Sequence, residues 1–223
     1  MYFIKICITY TFVIFILLCK CDVYCSESSS NQNTLNDFDS IIIHIQEKVG
    51  CDERYAILLY QIINYFAEGI QTDLTYIAQS TDDLEYKEKR IKNTISRYFQ
   101  SPESNVQVSS LSRSSIFDFS IHTYLHRLAK LRSRYRYTKV ELIFEPDYLG
   151  ISRFEKVGDS KYELSVSMWQ KFVGYIGDSV VYSDATRKKF RLYFVLNEKP
   201  TVKIDEILVA ETVNLDYYKR HRK

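Results

Sequence analysis

Few side chains are of a type and spacing that could do chemistry. His122 and His126 stand four residues apart, which puts two imidazoles on one helix face, as a metal pair or a proton relay requires. No HExxH carboxylate accompanies them, because Thr123, Tyr124 and Leu125 lie between. Ile121, Tyr124, Leu125 and Leu128 claim the apolar stripe of that helix, so the pair falls at its edge and no metal is expected. Tyr182 and Asp184 are two residues apart in an extended segment and share a face. There a hydroxyl beside a carboxylate could polarise a carbonyl in a desolvated pocket. The competing reading is a tyrosine packed at the sheet edge and an aspartate bonded to Thr186 or to a cross-strand lysine. Gln170 is in phase with Met168 and Phe172, so its amide points inward and needs a partner. Gln170, Tyr182, Asp184, Met168 and Phe172 are therefore the candidate ligand-pocket residues, and no residue is assigned a catalytic role. His44 sits in an isoleucine run as a packing residue, and His221 belongs to a basic tail.

Basic residues cluster as Arg127, Lys130, Arg132, Arg134, Arg136 and Lys139, interleaved with Tyr135 and Tyr137. Such a pattern can hold phosphates and stack bases. A second run, Arg187, Lys188, Lys189 and Arg191, and the tail Lys219, Arg220, Arg222 and Lys223 extend the choice to other anionic partners, lipid head groups or acidic glycans. The opposing reading is a set of solvated faces, since 30 basic against 28 acidic residues leave a net charge of only +2. Nucleic acid is disfavoured by the leader described next. No Gly-rich phosphate loop, paired-cysteine metal site, Gly-x-Ser-x-Gly elbow or Asn-x-Ser/Thr acceptor is present, and no cofactor is expected.

Residues 1–25 read as a signal peptide or a membrane anchor. Lys5 precedes Ile6 to Cys19, an uncharged stretch of the length of a signal-peptide apolar region. Counted back to Met1, the segment approaches the roughly 20 residues that span a bilayer, so an uncleaved anchor over residues 1–19 remains the rival. The step from Lys20 to Cys25 offers no small-x-small cleavage pattern. The polar run Ser26 to Thr34 is a linker by composition. Four of the five cysteines (Cys7, Cys19, Cys21, Cys25) lie in or beside the leader and leave Cys51 alone, which rules out a disulfide framework within the folded part. The expected location is exported and extracytoplasmic, with membrane anchoring by the leader as the alternative.

The elements that must position these residues come as helices first and then a sheet. Aromatic residues make up 15% of the chain and apolar residues 46%, enough for one packed, strand-rich domain. Leu35 to Val49 reads as a helix ended by Gly50, with Ile41 to Ile43 open to a strand reading. From Asp52, residues Ala56, Leu59, Tyr60, Ile63 and Phe66 recur at helical spacing, and a third helix is predicted over Asp82 to Phe99 with Leu84, Ile91, Ile95 and Phe99 inward. Val106 to Ser110 is a strand and Asp118 to Leu131 a helix. Alternating segments follow at Tyr135 to Glu145, Tyr162 to Phe172 and Phe190 to Leu196. Gly177-Asp178 and Asn197 to Pro200 read as turns. In the last strand, Val202 to Val213, the apolar phase shifts across Asp205-Glu206, which predicts a bulge.

This order is that of an α+β fold in which helices fill the concave face of a curved, mainly antiparallel sheet. The stretches Val-Gln-Val-Ser-Ser-Leu (106 to 111), Tyr-Leu-His-Arg-Leu (124 to 128), Lys-Tyr-Glu-Leu-Ser-Val-Ser-Met-Trp-Gln-Lys-Phe-Val-Gly-Tyr (161 to 175), Val-Tyr-Ser-Asp-Ala-Thr-Arg-Lys (181 to 188) and Val-Lys-Ile-Asp-Glu-Ile (202 to 207) carry a family likeness. The region from Asp82 to Thr212 resembles the NTF2-like, or cystatin-cone, superfamily, most of all its exported bacterial members of unknown function. The resemblance implies a conical cavity used as a ligand pocket, as a hydratase or isomerase site, or as a dimerising scaffold. The expected divisions are the leader (1–25), linker (26–34), N-terminal helical region (35–80), cone domain (81–213) and basic tail (214–223). Fold does not decide among such uses. The expected role is non-catalytic binding or scaffolding through the cavity or an exposed sheet face, for an unknown small molecule or protein and with a homodimer in view. The alternatives are a cofactor-independent lyase or isomerase and a membrane-tethered assembly subunit. Tyr, Asp or His converging in the cavity favour an enzyme, and Phe, Leu and Met filling it favour a scaffold.

Overall fold

In the computed structural model, which describes residues 38–79, 81, 84–112, 115–195 and 201–221, the helices precede and line the sheet. The leader, the linker and the turn expected at 197–200 lie outside the described residues. Helix α1 (Phe38–Val49) buries Ile42 and Ile45 while Ile43 is 55% exposed. That spacing belongs to a helix and settles the strand alternative at Ile41 to Ile43. Gly50, at φ +74, ends it in the left-handed conformation that a glycine adopts without steric cost. Helix α2 (Glu53–Gln79) begins where the Asp52 carboxylate accepts the Tyr55 backbone N–H at 3.1 Å. Its buried stripe runs Ala56, Leu59, Ile63, Phe66, Ile70, Leu74 and Ile77. Asp73 is buried in the same stripe because Arg90 of α3 (Leu84–Tyr98) ion-pairs with one carboxylate oxygen and the Thr94 hydroxyl donates to the other at 3.1 Å. The pair joins α2 to α3. A buried carboxylate left without such partners would be strongly destabilising.

The sheet has seven strands among the described residues: β1 (Asn105–Val108), β2 (Phe117–Ser120), β3 (Lys139–Asp147), β4 (Glu155–Gly158), β5 (Lys161–Ile176), β6 (Ser179–Val195) and β7 (Thr201–Val213). Their order is β2-β1-β7-β6-β5-β3, with β4 also paired to β5; every pairing is antiparallel except β1 with β7. Helices α4 (Ile121–Ala129) and α5 (Leu131–Tyr135) follow β2, and α6 (Leu215–His221) follows β7. The result is the expected α+β architecture, with six α-helices among the described residues against a curved sheet. The core joins α1 to α4 to the inward residues of the strands: Val140, Leu142 and Phe144 of β3, Leu164, Val166 and Met168 of β5, and Phe190, Leu192 and Phe194 of β6. The convex face carries a smaller cluster, in which Leu215 and Tyr218 of α6 cover Val173, Ala185 and part of Trp169.

Two sequence expectations are corrected, and one strand is added. The helix drawn from Asp118 begins at Ile121, because Phe117 to Ser120 pair with β1 and Ser120 then caps the helix by accepting the Thr123 N–H at 3.2 Å. The strand drawn from Tyr135 begins at Lys139, because α5 runs to Tyr135 and Arg136 turns the chain at φ 59. Strand β4 was not anticipated; four mostly exposed residues leave too little alternation to read. The β7 bulge is where the phase shift put it: Arg191 faces Glu206 and Leu192 faces Ile204, leaving Asp205 extra. Arg191 forms ion pairs with both Asp205 (3.0 Å) and Glu206 (2.8 Å), so the bulge turns two carboxylates toward one guanidinium.

Leu164 and Phe194 are 0% and 2% exposed. Leu164→Ala and Phe194→Ala are each expected to cost about 2–5 kcal/mol, read as a fall in the denaturant midpoint with little change in slope. Midpoints equal to wild type would place these side chains outside the core.

Candidate functional site

A cavity of about 230 Å³ opens between α4, α5, the β1–β2 connection and the concave face of β5 and β6. It is built by alternation. Along β6 the inward positions are Tyr182, Asp184, Thr186 and Lys188, followed by Phe190, Leu192 and Phe194, while Arg187, Lys189 and Arg191 face the other way. Along β5 they are Gly174, Phe172, Gln170 and Met168, and the register sets Gly174 opposite Tyr182, Phe172 opposite Asp184, Gln170 opposite Thr186 and Met168 opposite Lys188. The concave face is thus polar toward the hairpin end, where the cavity lies, and apolar toward the core. Gly174 is required there: a Cβ on it would come within 2.7 Å of the Tyr137 ring, which forms a wall of the cavity.

The floor consists of Gln170, Asp184, Thr186 and Lys188, each at most 8% exposed. The mouth carries exposed Phe117, Arg127, Arg134 and Tyr135. Aromatic contacts form the sides: Phe172 lies against Tyr137 (6.1 Å between centroids) and edge-on to Tyr182 (5.8 Å), and Tyr135 stacks on Tyr137 at 5.7 Å. The Tyr182 hydroxyl donates to Asp184 Oδ2 and accepts the Leu111 backbone N–H at 3.2 Å. The Thr186 hydroxyl contacts that of Thr212 at 3.1 Å.

The candidate residues divide accordingly. Gln170, Phe172, Tyr182 and Asp184 line the cavity together, whereas Met168 lies one step deeper, in the core. Of the basic cluster, Arg127 and Arg134 reach the mouth, with Arg127 over the Phe119 ring at 4.4 Å. Arg132 donates to the Gln79 carbonyl at 2.8 Å, Lys139 pairs with Glu141, Lys130 is exposed at the end of α4, and Arg136 occupies the turn. The His122 and His126 rings lie 4.3 Å apart and tilted by 42°, away from the cavity, and His126 Nε2 lies 2.6 Å from a Glu88 carboxylate oxygen. Among the described residues no group of three or more His, Cys, Asp or Glu is placed to hold a metal ion. No described helix is long and apolar enough to cross a membrane.

No protein-family profile matches the chain, and no curated protein does. Among solved structures, a candidate scytalone dehydratase from Novosphingobium aromaticivorans is similar at 9% identity and a TM-score of 0.41, over 71% of this chain and 88% of that one. A protein from Kribbella flavida is similar at 8% identity and a TM-score of 0.37, over 72% and 99%. The chemistry of the cavity is read from its own residues.

Two of those residues, Tyr124 and Lys188, were read from the sequence as part of a packing stripe and of a basic run, not as cavity residues. Burial pushes the Tyr124 hydroxyl up to about 12, partly offset by a hydrogen bond with the Gln170 amide. Burial lowers Lys188 to about 8, with the nearby Asp184 charge acting in the opposite sense. Asp184 is itself raised by burial, against the hydrogen bond from Tyr182 and the charge of Lys188. Tyr182 is raised by burial and by donating to that carboxylate. A signal for Lys188 was present, since it keeps the parity of Phe190, Leu192 and Phe194.

The depressed lysine has a consequence for stability. In the folded state Lys188 loses its proton near pH 8, whereas the unfolded chain holds it to about 10.5. Between these values the unfolded state binds the extra proton, so its contribution to stability increases as pH rises. Lys188→Met is expected to be the more stable chain near pH 7 and to lose that increase between about pH 8 and 10 in denaturant titrations. A wild-type profile parallel to that of the variant would show that the ammonium is solvated.

Proposed function

We propose that the chain binds a small amphipathic molecule in this cone cavity as an extracytoplasmic, NTF2-like binding protein. The observation that supports the reading most directly is the convergence of Tyr124, Gln170, Tyr182, Asp184 and Lys188 on one partly open cavity with aromatic sides. A cavity kept only as a scaffold would bury apolar groups there, because each polar group taken from water without a partner costs free energy. At about 230 Å³ the space equals roughly eight water volumes of about 30 Å³ each, which suits a single-ring compound. Its ring would lie against the aromatic side formed by Phe172 and Tyr137, and an oxygen would face the floor. Arg127 and Arg134 at the mouth favour ligands that carry negative charge or electron-rich oxygen.

The expected outcome is a rise in Tm with benzoate or benzyl alcohol that is lost in Ser110→Trp, which sets an indole across the mouth, and weakened about tenfold in Tyr182→Phe. Equal shifts in wild type and Ser110→Trp would place binding elsewhere. Export rests on the uncharged stretch Ile6 to Cys19. Mass spectrometry of the mature chain is expected to find its first residue near Ser26; an intact Met1 in the membrane fraction would support the tethered reading instead.

One observation favours a second reading, a cofactor-independent lyase or isomerase. Tyr182 donates to a buried Asp184 within the cavity, and burial raises that carboxyl toward the range of a general base. Exchange of solvent deuterium into the α-position of a bound ketone, abolished in Asp184→Asn, would establish it.

A further inference from the structure

We propose that Lys188 Nζ captures an aldehyde or ketone ligand as a reversible imine at the cavity floor. The inference rests on the cavity reading above and adds a covalent step and a ligand class. Lys188 is 4% exposed and lines the cavity, on a central strand paired on both sides by β5 and β7. Two half-buried lysines elsewhere are engaged: Lys171, on the convex face, with Glu145, and Lys203 with the carbonyls of Ser96 and Arg97. Lys188 has no hydrogen bond or ion pair of this kind among the described residues. Its neighbours are the Tyr124 ring, 5.7 Å from Nζ, and the charge of Asp184. A buried amine without a hydrogen-bond partner among the described residues, and with an open space before it, is the arrangement of a nucleophilic lysine.

The step balances without a redox partner. The Nζ lone pair adds to the carbonyl carbon, forming the C–N bond as the C=O π pair moves to oxygen. Two protons pass from nitrogen to that oxygen, which leaves as water, and the nitrogen lone pair closes the C=N bond. The hydrogen-bonded Tyr182 and Asp184, on the same strand face, are placed to relay these protons. Burial supports the step because it holds the amine near 8, where about half of it is neutral at pH 8, against well under a hundredth for an exposed lysine.

The test uses the full chain at pH 8 with benzaldehyde as the probe and sodium cyanoborohydride to trap the imine as a benzylamine. Sites are mapped by peptide mass spectrometry. Lys189, exposed and adjacent, is the internal control. The expected result is benzylation of Lys188 at least roughly tenfold faster than of Lys189. That preference is lost in denaturant and suppressed by benzyl alcohol, which fills the cavity but has no carbonyl. Equal labelling of the two lysines, or faster labelling of Lys189, overturns the proposal. If benzyl alcohol still raises Tm while Lys188 stays unlabelled, the imine fails and the binding cavity stands. If neither occurs, both fail.

Discussion

The register between β5 and β6 governs what the cavity contains. Side chains alternate with period two, so a slip of β6 by one residue would carry Arg187 and Lys189 to the concave face and expel Phe190 and Leu192, and a slip of β5 would exchange Trp169 and Lys171 for Gln170. Every residue of β5 is paired to β6, from Lys161 opposite Val195 to Ile176 opposite Ser179. Gly177, at φ +59, closes the hairpin. Phe190, Leu192 and Phe194 are at most 2% exposed, and their burial locks this register. The same lock holds Lys188 and Asp184 in place. Apolar packing at one end of the strand therefore sustains polar groups at the other.

Within the cavity those polar groups are unequally satisfied. Tyr182 and Asp184 bond each other, Tyr124 meets Gln170, and Thr186 meets Thr212. Lys188 has a ring face and a field. Desolvation is therefore the dominant influence on its proton. Its location beside Met168 and the core, with Arg127 and Arg134 at the far, wet end, separates a dry amine from solvated guanidiniums by the depth of the cavity. An amphipathic ligand fits such a gradient.

Much of this was legible in the residues. The inward phases of β3, β5 and β6 and the bulge at Asp205 follow from apolar alternation alone, because hydrophobic periodicity is the strongest local signal. Gln170, Phe172, Tyr182 and Asp184 were found by the same parity. Lys188 was missed because Arg187, Lys188, Lys189 and Arg191 read as one charged surface when grouped by type, whereas alternation divides them between the two faces. Tyr124 was placed in a packing stripe, and which of its neighbours would leave a space open depends on long-range pairing that spacing does not encode. Strand β2 was absorbed into the following helix because its partner, β1, lies a dozen residues away and only pairing distinguishes the two states.

Trp169 is the chain's one tryptophan, and it lies on the convex side of β5, between two residues that face inward. Its ring is 4.9 Å from that of Tyr218 on α6. The chain consequently carries a native fluorophore at the seat of its last helix, on the opposite side of the sheet from the cavity. Emission from that indole reports whether the C-terminal helix is seated, separately from what occupies the cone, and needs no introduced label.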